Sequence, residues 1–130
     1  MPSSGASPNL AGMGDLGKLA ERLREFAAAR EWEHYHTPKN LVMALAGEVG
    51  ELVAEFQWLT AEEAASIMDD PQAGRRVRAE IGDVVAYLVR LADVLGIDLL
   101  EAAEAKLAES ERRYDPARYR GVYRKAPPLE

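Results

Sequence analysis

Cysteine is absent from this 130-residue chain. That excludes disulfides, zinc–thiolate centres and thiol catalysis, and it fits a cytoplasmic protein. A positive charge excess is absent as well. The formal net charge is -6 at pH 7, which argues against a sequence-independent nucleic-acid partner, since such binders carry a basic face. It does not argue against nucleotides, because a bound divalent cation inverts the sign of an acidic pocket. No apolar run is long enough to span a bilayer, so no membrane partner is expected. Residues 1–14 lack both a basic start and an apolar core, so they do not read as a signal peptide. Rich in Ser, Gly, Pro and Ala, they read as a disordered N-terminal tail.

A strand pattern is also missing. Apolar residues recur at helical spacing almost throughout, and 48% of the residues are hydrophobic. A core is therefore available, though a chain this size leaves much surface exposed. Exposed apolar helix faces would favour self-association. The spacing predicts a first helix from about Asp15 to Arg30, then a break over Glu31–His36. Thr37-Pro38 reads as an N-cap with Pro at the first helical position, opening a second helix to about Leu59. Thr60-Ala61-Glu62-Glu63 matches a capping box and opens a short third. Asp70-Pro71 starts a long fourth helix ending near Gly96. Asp98 starts a fifth, running to about Tyr114 and stopped by Asp115-Pro116. The expected organisation is a helical domain over 15–114, built as a four-helix bundle-like unit. An irregular, basic and aromatic tail follows over 115–130.

Two acidic pairs carry the chemistry. Glu48-Val-Gly-Glu51 lies on the second helix and Glu80-Ile-Gly-Asp83 on the fourth. A spacing of three puts each pair on one helix face, a turn apart. With Leu41 as zero, Leu45, Val49, Leu52 and Phe56 span about 20° to 80°, and Glu48 falls at about 340°. With Glu80 as zero, Val77, Val84, Leu88, Leu91 and Leu95 occupy the same arc, with Asp83 at about 300° and Tyr87 at about 340°. Solvated acids would sit opposite these stripes; these four border them. If the stripes pack together, the carboxylates converge, repel and become costly to desolvate. Their pKa values would rise, and a hard divalent cation such as Mg²⁺ would resolve the conflict. The competing reading is four ordinary surface acids in an acidic helical protein.

At these residues the chain resembles the MazG-like, all-α nucleotide pyrophosphohydrolase superfamily. That family carries E-x-x-E followed some tens of residues on by E-x-x-D. The similarity is nearest to its dCTP pyrophosphatase branch, through the stretch from Phe26 to Leu41, through Leu45-Ala-Gly-Glu-Val-Gly-Glu-Leu52 and through Phe56-Gln-Trp58. The resemblance implies a hydrolase that converts a (deoxy)nucleoside triphosphate, dCTP or a modified dCTP first, to monophosphate and pyrophosphate. It implies Mg²⁺, with Mn²⁺ as a substitute, on Glu48, Glu51, Glu80 and Asp83. Of these, Glu48 or Glu51 would activate water. It also implies a homo-oligomer, dimer or tetramer.

The same resemblance implies that Trp32, His36, Trp58 and Tyr87 help form the base and sugar pocket. Tryptophan faces stack on nucleobases for about 1–3 kcal/mol per base. Asn40, two turns before the acids, is a candidate for a base or sugar edge. Lys106 and Arg113 match a fifth-helix signature that contacts phosphate. Other readings stand beside these. The tryptophans suit a core or a subunit contact, Tyr87 simple packing, Asn40 a first-turn role, and Lys106 an exposed stem. Two departures bear on base preference and phosphate grip: Leu23 stands where close relatives have histidine, and Ser110 where the signature has asparagine. A carboxylate-bridged di-iron bundle is disfavoured, because neither acidic pair is followed by histidine. A non-catalytic helical interaction or nucleotide-binding protein is the remaining alternative.

Overall fold

The computed structural model describes residues 14–129, and among them every regular element is helical. Of the expected N-terminal tail, residues 1–13 lie outside the described residues. Six α-helices follow in order: α1 Asp15–Ala29, α2 Pro38–Phe56, α3 Ala61–Ala65, α4 Pro71–Leu95, α5 Leu99–Arg113 and α6 Pro116–Tyr119. Single 3₁₀ turns at Glu33–Tyr35 and Ile67–Asp69 sit in two of the connections. The chain divides into two compact units, Met1–Gly96 and Ile97–Glu130.

Local chemistry accounts for the helix boundaries. Thr37 accepts from the Asn40 N–H at 3.2 Å with Pro38 at the first position of α2. The Thr60–Glu63 capping box closes in both directions, at 2.9 and 3.1 Å. Asp70 takes the N–H groups of Gln72 and Ala73 ahead of Pro71, and Asp98 takes that of Glu101 at 2.9 Å. Each cap satisfies donors that the first helical turn leaves free. The region after α5 is not wholly irregular as expected. Asp115 caps one further helical turn, α6, by accepting from the Ala117 N–H at 3.3 Å.

Two helices end through left-handed residues. Beyond α1, the Trp32 N–H bonds the Ala27 carbonyl at 2.9 Å and the Glu31 N–H bonds that of Ala28 at 3.0 Å. This is a Schellman arrangement with Glu31 at φ 53° in the position glycine usually fills. Its accompanying apolar contact is Phe26 against Trp32, edge to face with centroids 5.7 Å apart. The turn thus aims Trp32. Beyond α4, Gly96 holds φ +72° and no atom stands within 4 Å of where a Cβ would be. Gly96→Ala should therefore cost only backbone strain, about 1 kcal/mol, read as a lower urea midpoint at unchanged slope.

In the first unit α2 lies antiparallel to α4. Arg76 near the start of α4 reaches Glu55 near the end of α2 at 3.0 Å. Arg90 near the end of α4 reaches His36, just before α2, at 3.1 Å. Leu41 on α2, Ala73, Val77, Val89 and Ala92 on α4 and Ala27 on α1 form the buried apolar set. α1 is tied to α4 by the fork of Arg24 on Asp93, at 2.7 and 3.1 Å.

The buried faces are narrower than the periodicity suggests. Val49, Leu88 and Leu95, expected in the stripes, are 41%, 38% and 50% exposed. Glu48 and Glu55 on α2 and Glu80 on α4 are instead half-buried. The face of α2 turned to α4 is therefore centred nearer Glu48 than the apolar residues alone indicate.

Candidate metal centre

α2 and α4 bring their acidic pairs together along one seam. Running up the seam, Glu55 faces Arg76, then come Glu51, Glu80, Glu48 and Asp83, and His36 meets Arg90 at the far end. One carboxylate oxygen from each of Glu48, Glu80 and Asp83 lies within 4.8 Å of the others. Glu48 and Glu80 are half-buried and Asp83 is exposed, so the cluster opens on one side.

The electrostatics are those of like charges held close. Desolvation, the hydrogen bonds shared with Glu51 and Asp83, and the charges of those two push the Glu48 carboxyl up to about 7. Glu80 is raised for the same reasons, desolvation first and then the charges of Glu51 and Asp83. Its Oε2 is buried and has no hydrogen-bond partner. A buried carboxylate oxygen with no donor is costly. Three carboxylate oxygens this close, with no nitrogen or sulfur among them, suit a hard cation. Glu51 stands outside that trio, yet its carboxylate acts on both Glu48 and Glu80.

The other candidates fall in different places. His36 is half-buried and accepts from the Arg90 Nε on its Nδ1 at 3.1 Å. Burial and the Arg90 charge lower its pKa. The Trp32 ring stands 6.3 Å from that of His36 at 61° and is 42% exposed. Tyr87 is half-buried on α4, one turn beyond Asp83. Trp58 is 86% exposed, which rules out a core role for it within this chain. Asn40 turns its Nδ2 to the Tyr35 carbonyl at 3.1 Å, a local contact that fixes the 3₁₀ turn before α2.

Two candidates belong to the second unit. Lys106 pairs with Glu109 one turn on, at 3.1 Å. Arg113 donates to the Ala126 and Pro127 carbonyls at 2.6 and 3.2 Å, and the Tyr114 hydroxyl accepts from the Ala126 N–H. Part of the Arg113 guanidinium is therefore engaged by the chain's own C-terminal segment. Sequence spacing did not single out Arg24, Asp93, Arg90 or Arg76. The available signal was weak: Arg90 and Asp93 share helical spacing, but their partners come from α1 and from the turn before α2.

An all-helical fold that sets two E-x-x-E/D pairs face to face across an antiparallel helix seam defines the carboxylate-cluster class of helical proteins. The chain belongs to the family described as the MazG nucleotide pyrophosphohydrolase domain, which matches residues 36–117. Dinucleotide and P-loop folds, which hold phosphates on glycine-rich loops beside strands, are thereby set aside.

Its curated relatives include dCTP pyrophosphatase 1 of Bos taurus, 43% identical over 90 residues, and that of Homo sapiens, 44% identical over 90 residues. Each alignment takes in 69% of this chain and 53% of the relative. The chain thus spans about half the length of the curated relatives it matches. Among solved structures, a pyrophosphatase from Archaeoglobus fulgidus is 38% identical with a TM-score of 0.73, covering 79% of this chain and 94% of that one. The resemblance read from the two acidic pairs is thus shown at the level of family and fold.

Proposed function

We propose that the protein is a Mg²⁺-dependent nucleoside triphosphate pyrophosphohydrolase. The observation that carries this reading is the trio of Glu48, Glu80 and Asp83, with a buried, unpartnered Oε2 on Glu80, in a chain of this family. Glu48, Glu80 and Asp83 would hold the cation. When bound, it would supply charge neutralisation at the phosphoryl oxygens and a lowered pKa for bound water. Glu51, beside the trio but outside it, orients the attacking water and accepts its proton. Trp32, His36, Trp58 and Tyr87 take the nucleoside part. The curated relatives are named for dCTP, so dCTP or a modified dCTP is the first substrate to try.

The test incubates the protein with each dNTP and NTP, with and without Mg²⁺ or Mn²⁺, and measures pyrophosphate and monophosphate. Metal-dependent release of both products, greatest with dCTP, is the expected result. Release favouring another nucleotide would keep the reaction and point to Leu23 and Ser110. No release from folded, metal-binding protein would overturn the proposal in favour of a nucleotide-binding role.

We further propose that the chain works as a homo-oligomer. Val42, Met43 and Val53 on α2 and Ile81 and Val85 on α4 are exposed apolar side chains of the two helices that carry the acids. Such faces mark subunit contacts.

A further inference from the structure

Arg90 is a buried arginine that the scheme above does not use; its residual exposure is 7%. At about 100° per residue, Asp83, Tyr87 and Arg90 fall within about 60° of one another on α4. Arg90 thus continues the strip of the acidic site, about 10 Å beyond Asp83 along the axis. Its orientation is fixed from behind. Arg24 on α1 grips both oxygens of Asp93, at 2.7 and 3.1 Å, and Asp93 Oδ2 takes the Arg90 Nη1 at 3.1 Å. Arg90 then directs its Nε–H at His36 Nδ1, 3.1 Å away.

A guanidinium has donors only and keeps its proton at any working pH. The nitrogen facing it must be a lone pair. His36 is therefore held as a neutral imidazole with its proton on Nε2. A second proton on Nδ1 would set two donors against each other beside a fixed positive charge. Arg90 is the charged group that meets His36 from α4, and Arg24 of α1 acts on it only through Asp93 and Arg90. Among the described residues none hydrogen-bonds Nε2. That N–H is left for a ligand beside the ring of Trp32.

We infer that Arg90 is a positioning residue. Through the chain Arg24–Asp93–Arg90 it locks His36 in the Nε2–H form, so this end of the seam selects a nucleoside edge that accepts a hydrogen bond over one that donates. The ligand half of this inference rests on the nucleotide reading above. The tautomer half does not.

The test uses the full chain labelled with ¹⁵N-histidine, in which His34 is the one other histidine and serves as internal reference. Imidazole spectra of the wild type near neutral pH should show His36 wholly in the Nε2–H form. Arg90→Met should give mixed tautomers and a His36 that protonates at higher pH. With the preferred triphosphate, KM should rise about tenfold with kcat changed little, as for loss of one oriented hydrogen bond. Arg90→Lys, which keeps a donor and the charge, should restore part of both effects. Should Arg90→Met fold poorly, Asp93→Asn loosens the same arginine without removing it and should shift the same spectra. A wild-type His36 that carries its proton on Nδ1, or is charged near neutral pH, would overturn the inference. So would an unchanged KM in both variants. If the wild type hydrolyses no nucleotide, the functional proposal falls while the spectra still decide the tautomer.

Discussion

If Glu80 holds the cation as proposed, Glu80→Gln is expected to lower nucleotide hydrolysis by at least about a hundredfold, because losing one metal ligand would remove several kcal/mol of charge stabilisation from the transition state. The same substitution should leave the metal-free protein as stable as before, or more so. Glu80 Oε2 is buried without a donor, and a neutral amide is cheaper to bury than an unpaired carboxylate. Activity and metal-free stability therefore move in opposite directions, the pattern of a site held together against its own repulsion. Mg²⁺ should raise the thermal midpoint of the wild type and not that of the variant. Glu48→Gln and Asp83→Asn should behave alike, since both contribute to the same trio. Glu51→Gln separates the roles: it should lose turnover while keeping much of the Mg²⁺-induced stabilisation. Hydrolysis retained within tenfold in Glu80→Gln, with steady-state kinetics run at saturating Mg²⁺, would remove the cluster from the mechanism.

The second large effect is on pH. Burial and the neighbouring acids push Glu48 from 4.5 up to about 7 in the folded chain. Folded Glu48 holds its proton more tightly than unfolded Glu48 does. The stability this contributes is complete below 4.5 and is lost as pH rises through about 7. Glu80, raised by the same neighbours, acts in the same direction. A divalent cation competes for the oxygens that carry these protons, so its affinity should climb over the same interval. Thermal melts across that range, with and without Mg²⁺, read both limbs. Metal-free midpoints should fall as pH rises, and the added stabilisation by Mg²⁺ should be small on the acid side and large above about 7. A metal-free midpoint that rises through that window would mean that the two helices do not hold their acids this close.

The parts legible in advance were those governed by local chemistry. Thr37, Thr60, Asp70 and Asp98 were readable as caps because a cap is decided within four residues. Glu48, Glu51, Glu80 and Asp83 were readable as a set because a spacing of three fixes a common helix face whatever the rest of the chain does. Which of them are half-buried was not readable: Glu48 and Glu80 are and Glu51 and Asp83 are not, because the face of α2 turned to α4 is centred on Glu48 and Glu55 rather than on the apolar stripe. The Arg24–Asp93–Arg90–His36 chain was not legible. It joins α1, α4 and the turn before α2, and no spacing along the sequence encodes a meeting of three elements. The engagement of Arg113 by the Ala126 and Pro127 carbonyls was hidden for a similar reason. It depends on the chain turning back after α6.

The antiparallel seam also sets an order of events in time. α2 and α4 are separated only by the connection from Gln57 to Asp70, so the contacts between them are close in sequence and quick to find. The charge conflict arises only when the two helices have already docked, for no single helix assembles Glu48, Glu80 and Asp83. A cation has no pocket to enter before that moment. A cation that binds only the docked pair would, where the barrier is crossed before the site is formed, slow the escape from the folded state more than it hastens arrival there. Cation occupancy would in this way lengthen the lifetime of the fold.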